Sequence, residues 1–314
     1  MQSCGLFATA RAMSAQLSRI LMYHNFRGPG EDPDAVSVSA LYVQLDYLRR
    51  HFSVVPLADI IARLESGQRL ESHAIALTID DGRRNCYDWM FPLLREFRMP
   101  ATFFVVSSFI RRDDWIWTDK VLWLSEQPSR PSDLAPAQLE NFFCRMNGLR
   151  PEVRTSVIET IASGMGVPIP REPPSKYAPC SWKELREMAD SGLVEIGSHS
   201  VSHPILSSIT DDESWRELTM SREQIEEGMG RPVRFFCYPN GQRGDFRASQ
   251  VRQVQEAGYC GAVAAFMRMV DPGTDPFELP RIGVAGKSDV VSFCKYVDGA
   301  EHYQVKLQRC LGLV

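Results

Sequence analysis

The sequence predicts an α/β fold, a distorted or incomplete (β/α) barrel with a partly helical insertion, and three observations lead to this prediction. Short apolar runs alternate with amphipathic helical segments along most of the 314 residues. The apolar runs are continuous, as in parallel strands that are buried on both faces. The alternation stops between residues 111 and 179, a stretch rich in proline and tryptophan. Parallel strands joined by right-handed crossovers curl towards a barrel.

The first half of the chain predicts strands and helices in turn. A helix is expected to begin with Ser39 as its N-cap, because Leu41, Leu45 and Leu48 then share one face. Pro92 should bend a later helix, since proline removes a hydrogen bond in a helix interior. The predicted strands cover residues 19–24, 52–55, 74–79 and 101–106, and the predicted helices cover residues 39–50, 57–65 and 84–97.

The second half of the chain continues the alternation beyond the predicted insertion. A helix over residues 184–189 ends before Gly192, and strands follow at 193–197 and 233–238. Helices are expected over residues 212–228, 246–257 and 289–311. The predicted domain organisation is a barrel over 1–286, with the insertion at about 111–179, and a C-terminal helical extension over 287–314 packed on the barrel. That extension could instead form a homodimer contact.

Composition narrows the range of partners and compartments. The net charge is -4 and no basic block is present, which argues against nucleic acid as a partner. No apolar run reaches the ~20 residues of a membrane span, so no transmembrane segment is predicted. The eight cysteines form no Cys-x-x-Cys pair and are predicted to be free thiols, which are typical of a reducing compartment. Residues 1–22 lack a clear secretory leader pattern, so a cytoplasmic location is predicted, with a periplasmic or secreted one as the alternative.

Two adjacent carboxylates follow the apolar run over residues 74–79. Asp80 and Asp81 fall at the carboxyl end of that predicted strand, where α/β folds place their chemistry. Neighbouring side chains on a strand point apart, so one carboxylate could bind a metal while the other faces the substrate. Gly82 permits a sharp exit from the strand. In the alternative interpretation, Asp81 only caps the next helix.

Two imidazoles follow a second predicted strand end. His199 and His203 come after the strand at residues 193–197 and before Pro204. On a helical turn, positions i and i+4 share a face and can reach one ion. The chain has six histidines, and a pair at this place beside a strand end is more than a surface coincidence. One carboxylate, two imidazoles and a spare carboxylate predict a divalent metal site for hydrolysis.

Three segments together resemble a known enzyme family. Thr78-Ile79-Asp80-Asp81-Gly82 matches a Thr-Phe-Asp-Asp-Gly motif, and His199-Ser200-Val201-Ser202-His203 matches a His-Ser/Thr-x-x-His motif. Phe235-Phe236-Cys237-Tyr238-Pro239-Asn240-Gly241 is similar to a third motif, a turn after a strand. The chain thus resembles the polysaccharide deacetylases of the nodulation-protein-B type, carbohydrate esterase family 4, from about residue 19 to residue 284. Its motif order is most similar to that of poly-N-acetylglucosamine deacetylases.

The resemblance implies a function and a role for each matching residue. The implied reaction is metal-dependent removal of N-acetyl groups from a sugar in a polysaccharide or glycan precursor. Asp80 would be the general base, while Asp81, His199 and His203 would hold one divalent metal, most often Zn²⁺. The turn from Tyr238 would face the substrate, with the backbone N–H of Asn240 as an oxyanion donor.

The sequence departs from the family pattern at three places, one of which is Asn240, where the third motif has an aromatic residue. Cys237 stands where the third motif has an arginine, and Arg281 could supply the missing guanidinium or could be a structural arginine. The family's C-terminal Leu-x-His motif is absent. His24 ends the predicted first strand, which neighbours the last strand in a closed barrel, so His24 could be the general acid that protonates the leaving amine. Otherwise, backbone groups at the strand end satisfy His24.

Two tryptophans in the predicted insertion have two interpretations. Trp115 and Trp117 could stack on sugar faces, or they could anchor the insertion to the barrel. Two functional alternatives stay open beside sugar deacetylation. One is an amide or imide hydrolase that acts on a small non-sugar substrate, and the other is a catalytically inactive glycan-binding protein.

Overall fold

A parallel β-sheet forms the centre of the computed structural model, which describes residues 2–28, 35–286 and 289–300. The strands are β1 (Arg19–Tyr23), β2 (Phe26–Arg27), β3 (Val36–Ser37), β4 (Ser53–Val54), β5 (Ala74–Ile79), β6 (Ala101–Val105), β7 (Val194–Ser198), β8 (Phe235–Cys237), β9 (Gly261–Val263) and β10 (Ile282–Gly283). The large sheet has the order β10-β1-β5-β6-β7-β8-β9, with β4 beside the first half of β5, and β2 pairs with β3 separately.

The sheet curls until its two ends approach each other. At one end, β10 pairs with β1 through Ile282 and Leu21. Only three residues earlier in the chain, Leu279 forms a parallel bridge with Val263 at the other end of the sheet. The segment before β10 therefore links the first and last strands. This curled half-barrel confirms the predicted fold class, a distorted (β/α) barrel.

Helices cover the sheet along the chain. They are α1 (Gln2–Met13), α2 (Val38–His51), α3 (Leu57–Glu65), α4 (Phe91–Phe97), α5 (Ser107–Arg111), α6 (Trp117–Ser125), α7 (Leu139–Asn147), α8 (Pro151–Gly164), α9 (Trp182–Asp190), α10 (Asp211–Met229), α11 (Ala248–Glu256) and α12 (Val290–Val297). A π-helical turn over Cys86–Met90 precedes α4, and short 3-10 turns lie at Ser132–Leu134, Pro136–Gln138, Ser175–Tyr177 and Leu206–Ser208.

The two faces of the sheet contribute to different apolar clusters. All six residues of β5 are buried, and alternate side chains point to opposite faces. Ile75 and Leu77 pack in the larger cluster under the outer helices, whereas Ala76 packs in a smaller cluster with Phe104 and Phe235. Helix α3 adds Leu57, Ile60 and Ile61 to the smaller cluster. Asp80 lies an even number of positions after Ala76, so its side chain points to the same face of the sheet.

Several predicted element boundaries shift in the structure. Helix α2 begins at Val38 because the Ser37 side chain caps it, accepting from Ala40 N at 3.1 Å, so the predicted Ser39 cap is wrong. Residues 84–97 are helical as predicted, and the helix contains a π turn over Cys86–Met90 directly before Pro92. A π turn is a common irregularity where a helix bends, and the bend predicted at Pro92 stays a prediction. Helix α1 was not predicted from the sequence.

The insertion is largely helical and has its own apolar cluster. Helices α6, α7 and α8 carry this cluster, which contains Trp117, Leu124, Phe142 and Ile158. At the other end of the chain, Phe293 and Val297 of α12 are buried in the main cluster, and Asp298 accepts from Arg11 of α1 at 2.8 Å. The rest of the predicted C-terminal extension, residues 301–314, lies outside the described residues, so the predicted domain boundary at residue 287 stays a prediction.

Two further features bear on the predicted compartment. Within the described part of the chain, no helix combines the length and the apolar character needed to cross a bilayer. The cysteines whose side chains the structure describes, at positions 86, 144, 180, 237, 260 and 294, are free thiols. The predicted location and the predicted homodimer remain predictions.

Candidate active site

The carboxyl end of β5 carries two carboxylates on a strained turn. Asp81 has φ 75° and Gly82 has φ 85°, so the backbone turns through the left-handed region directly after Asp80. A Cβ atom on Gly82 would lie 2.9 Å from Ile110 Cδ1, so both the backbone angle and the space favour glycine there. The turn sends Asp80 and Asp81 in different directions. Because Asn85 is the N-cap of the following π turn, Asp81 does not cap it.

The histidine segment after β7 is a loop, and the helical turn expected from the i, i+4 spacing is wrong. Ser200 and His203 have φ angles of 67° and 57°. Glu217 of α10 holds the loop, because its carboxylate accepts from Val201 N at 2.8 Å and from Ser202 N at 2.9 Å. His203 N donates to Ser200 Oγ at 3.0 Å. These bonds, and not helical periodicity, bring the two imidazoles together.

Three side chains form a group that could hold a metal ion. Asp81 Oδ1 lies 3.8 Å from His199 Nε2 and 3.8 Å from His203 Nε2, and the two Nε2 atoms are 3.2 Å apart. All three residues are buried. Around a tetrahedral zinc ion, Zn–N and Zn–O bonds of about 2.0–2.2 Å place neighbouring ligand atoms roughly 3.3–3.5 Å apart. The observed triangle and its two-nitrogen, one-oxygen donor set therefore fit such an ion.

The protonation states of the imidazoles suit metal binding. His199 Nδ1 lies 2.8 Å from the Cys237 carbonyl oxygen, so Nδ1 carries the proton and Nε2 keeps its lone pair. Burial, and then the His199 charge, lower the pKa of His203 to about 3. Burial also lowers the pKa of His199. A histidine must be neutral to bind a metal, and a cation or proton between the two Nε2 atoms would relieve the repulsion of their lone pairs.

Arg83, which was not predicted from the sequence, forms hydrogen bonds with the Asp81 carboxylate of this group. Arg83 donates from Nε and Nη2 to Asp81 Oδ2, each at 3.2 Å, and its Nη1 lies 2.5 Å from Asp119 Oδ1 in the insertion. Burial opposes ionisation, but Arg83 and the nearby imidazoles hold the pKa of Asp81 well below its usual value. Burial raises the pKa of Asp119 to about 7 against the Arg83 charge, and Asp81 contributes to the rise. Only the position of Arg83 directly after Gly82 could have signalled this contact.

Asp80 is fixed by a bidentate ion pair with Arg281. Arg281 Nη1 donates to Asp80 Oδ1 and Nη2 donates to Asp80 Oδ2, both at 2.7 Å. The guanidinium also donates to Thr78 Oγ1 at 3.0 Å and to the Ala264 carbonyl at 2.9 Å. Burial would raise the pKa of Asp80, but the charge and hydrogen bonds of Arg281 hold it below its usual value. The structure thus places Arg281 at the carboxylate that the missing arginine would serve.

The thiol of Cys237, which stands where the family's third motif has an arginine, lies beside this ion pair. Arg281 Nη2 donates to Cys237 Sγ at 3.1 Å, and that sulfur lies 3.5 Å from Asp80 Oδ2 and 4.0 Å from His199 Nε2. Asp80, His199 and Cys237 therefore form a second cluster of ligand types. Burial raises the pKa of the Cys237 thiol well above its usual value, and Arg281 already engages Asp80. The thiol therefore fills the space beside the pair as a neutral group.

Two other predicted catalytic groups lie at the same edge of the sheet. His24, directly after β1, has Nε2 at 3.7 Å from Asp80 Oδ2, and its side chain is 45% exposed. Asn240 has φ 59° in the exposed turn after β8, and its side chain donates to Asp245. In that turn, Tyr238 N donates to Val263 O and Gly241 N donates to Pro239 O. Among the hydrogen bonds of the described residues, the Asn240 N–H has no acceptor, so it is available to a ligand.

The aromatic rings predicted to bind substrate pack against other side chains in this structure. Tyr238 is 1% exposed, its ring stacks on Phe246 at 3.8 Å, and its hydroxyl donates to the Phe277 carbonyl. Trp115 is buried against Tyr177 and donates from Nε1 to backbone carbonyls of the insertion. Trp117 is 9% exposed and packs against Phe143. These tryptophan contacts lie within the insertion, and both the predicted sugar stacking and the predicted anchoring to the barrel stay predictions.

Comparison with known sequences gives two findings. The polysaccharide deacetylase family profile matches residues 67–261, more than half of the chain. A poly-β-1,6-N-acetyl-D-glucosamine N-deacetylase of Escherichia coli (strain K12) is 33% identical over 93 residues, which are 29% of this chain and 14% of that protein. The chain therefore matches only a small part of the length of this curated relative.

Comparison with solved structures shows the same fold at low sequence identity. The Streptococcus pyogenes deacetylase PplD, solved in complex with acetate, has a TM-score of 0.62 and 15% identity, covering 90% of this chain and 98% of that one. IcaB from Ammonifex degensii has a TM-score of 0.61 and 18% identity, covering 90% and 97%. The BpsB deacetylase domain from Bordetella bronchiseptica has a TM-score of 0.56 and 21% identity, covering 86% and 96%.

Proposed function

Because this chain belongs to the polysaccharide deacetylase family, we propose that it hydrolyses the N-acetyl group of an N-acetylated sugar in a polysaccharide or glycan precursor, and that it needs a divalent metal to do so. The supporting observation is one arrangement of side chains. A buried carboxylate held by Arg281 lies beside a separate group of one carboxylate and two neutral imidazoles. An amide hydrolase needs both a proton acceptor and an electrophilic centre.

In this proposal Asp81, His199 and His203 hold the metal, and Zn²⁺ is the ion that their donor set suits best. When bound, the ion would supply Lewis acidity that polarises the acetamide carbonyl and lowers the pKa of a nearby water. Two contacts within the chain orient the groups that would hold this ion. His199 Nδ1 is fixed by the Cys237 carbonyl, and Arg83 orients the Asp81 carboxylate.

Asp80 is proposed as the general base that takes the proton of the attacking water. Its lowered pKa keeps it ionised at neutral pH, so it is ready to accept a proton. Arg281 is proposed as a positioning residue, because two parallel hydrogen bonds allow the carboxylate a single orientation.

Two other groups complete the proposed reaction. The free N–H of Asn240 would donate to the developing oxyanion, and such a donor contributes about 3 kcal/mol in other hydrolases. His24 would protonate the leaving amine, because it lies close to the base and is exposed enough to meet a substrate. The sugar amine and acetate are then the products.

The test is acetate release from defined substrates. Candidates are a β-1,6-linked N-acetylglucosamine oligomer, suggested by the name of the Escherichia coli relative, a β-1,4-linked oligomer, and a small non-sugar amide. Each is assayed after chelation and after addition of zinc. We expect release from an N-acetylated sugar that needs added metal.

Asp80→Asn provides the matched control for this test. The variant should keep the metal, measured by elemental analysis, and lose turnover. Release that is confined to the small amide would favour the non-sugar alternative. Glycan binding without any release would favour the inactive-protein alternative.

A further inference from the structure

A cleft of about 720 Å³ lies in the insertion, and Ser202 of the histidine loop also lines it. Residues of α6 and α8 contribute to the lining, including Trp117 and Arg154. Ser202 is the neighbour of His203 in the chain. The cleft therefore borders the loop that carries one residue of the metal group, and a substrate bound at that group could extend into it.

Two residues that line the cleft carry buried hydrogen-bond donors without an acceptor among the described residues. Arg154 is 2% exposed, and its Nη1 has no hydrogen-bond partner among the described residues. Trp117 Nε1 is also buried and unpartnered in that part of the chain. Both groups can only donate. A buried donor without an acceptor costs free energy, and a buried cation without an anion costs more.

The other charged side chains of the cleft are engaged elsewhere or lie at its exposed rim. Lys120 Nζ lies 2.6 Å from Asp114 Oδ1, and Asp113 pairs with Arg111 at 2.9 Å. Glu159 and Arg171 are exposed. Arg154 is thus the buried charge of the cleft.

The Arg154 guanidinium packs over the Trp117 ring, 4.4 Å from its centroid. This cation–π contact stabilises the cation but uses none of its N–H donors. The contact also holds the guanidinium in place before a ligand arrives. A preorganised donor binds an acceptor at lower entropic cost.

We propose that Arg154 and Trp117 form a subsite for an anionic group, a carboxylate or a phosphate, that the substrate carries beside its N-acetylated sugar. The inference deepens the proposed function and rests on it. It assigns the substrate class as an acidic N-acetylated glycan or a phosphorylated sugar. Arg154 would determine specificity without taking part in the hydrolysis.

The first experiment compares matched substrates with the zinc-loaded wild-type protein. The probes are N-acetylglucosamine linked to glucuronic acid, N-acetylglucosamine 1-phosphate, and the neutral disaccharide of N-acetylglucosamine. We expect at least about a tenfold lower KM for one anionic probe than for the neutral one, since a charged hydrogen bond is worth this much. The preferred anion identifies the source of the negative charge. Equal KM values for all three probes would overturn the proposal.

The second experiment removes the charge. Arg154→Met should abolish the lower KM of the anionic probe, and Arg154→Lys should restore part of that preference. Arg150→Gln is the matched control, because Arg150 lies just before α8 but already pairs with Glu213 at 2.7 Å. A preference that survives in Arg154→Met would overturn the proposal, since the metal group would then hold the anion.

A binding measurement keeps the inference testable apart from catalysis. Calorimetry with the same three probes, on zinc-loaded and metal-stripped wild-type protein, does not depend on turnover or on any variant. Tighter binding of an anionic probe in both forms supports the subsite even if no probe releases acetate, in which case only the proposed reaction fails. Acetate release without any binding difference between anionic and neutral probes would overturn the subsite and leave the reaction standing.

Discussion

Removing the Arg281 guanidinium should change both the stability and the pH response of the protein. In Arg281→Met, the Asp80 carboxylate stays buried but loses two hydrogen bonds of 2.7 Å. Both side chains are at most 2% exposed in the wild type, so water cannot replace the lost partner. Breaking a buried ion pair in this way costs about 3–5 kcal/mol of unfolding free energy.

The pH dependence of stability gives the sharper readout. In the wild type the folded pKa of Asp80 lies below its unfolded value, so the pair contributes stability above pH ~4, and this is lost as the pH falls. In Arg281→Met the largest opposing charge is gone, so burial should outweigh the smaller effects of His199 and His24 and raise the folded pKa of Asp80. The contribution of Asp80 should then be present below pH ~4 and be lost as the pH rises. Urea unfolding measures both slopes if the series runs from about pH 2, across the range where the wild type loses this contribution, to about pH 8, across the range where the variant loses it.

Activity should follow the protonation of the base. We expect kcat/KM for acetate release to fall by about 100-fold or more at pH 6 and to recover partly towards pH 9, as Asp80 ionises again. Arg19→Met is the matched control, since Arg19 is also fully buried but donates to backbone carbonyls, including Val297 O at 2.9 Å. It should lower stability without moving the pH profile.

An arginine introduced at position 237 tests whether the positioning role of Arg281 can be restored. Cys237→Arg restores the family's arginine position but should be harmful in the wild type, because Arg281 Nη2 already lies 3.1 Å from Cys237 Sγ. In the Arg281→Met background the same change should recover activity. Full activity of Arg281→Met, or additive losses in the double variant, would refute the positioning role of Arg281.

Three other changes have defined outcomes. His24→Ala should lower kcat by about 100-fold or more, with the melting temperature unchanged because the side chain is 45% exposed; an unchanged kcat would exclude His24 as the acid. In metal-stripped protein, the lowered pKa of His203, about 3, means that unfolding free energy should drop as the pH falls from 6.5 towards 3, by about 1.4 kcal/mol per pH unit. His203→Gln should flatten that slope in urea titrations, and an equal slope would contradict the pKa assignment. Arg83→Met should weaken zinc binding by about 10–100-fold in chelator competition, since it frees the Asp81 carboxylate; unchanged affinity would show that Arg83 only supports the insertion.

Some residues of the site could be predicted from the sequence and others could not. Asp80 and Asp81 end an apolar run, and local alternation along a strand already separates their directions. The i, i+4 spacing identified the histidine pair, although the helical turn expected from that spacing does not form. A loop fixed by Glu217 brings the imidazoles together, and no periodicity reports a contact of that kind.

Contacts between distant segments could not be derived from local pattern. Arg83 meets Asp119 only because the insertion folds back over the strand end. The tryptophans of the insertion show why aromatic residues are ambiguous in a sequence, since the same residue type can contact a ligand or pack against other rings, as Trp115 does. Arg154 gave no signal at all in the sequence, because an unpartnered buried charge is defined by its surroundings.

The sequence by itself determined the alternation of strands and helices, the curled parallel sheet and the presence of two carboxylates and two imidazoles at strand ends. These features are local, because hydrophobic periodicity and strand-end position are written within a few neighbouring residues. The tertiary structure alone decided that Arg281 clamps Asp80 from 201 positions away. That contact forms when β10 pairs with β1. The strand pairing that closes a barrel joins distant parts of the chain, and the local sequence of one part does not specify the other.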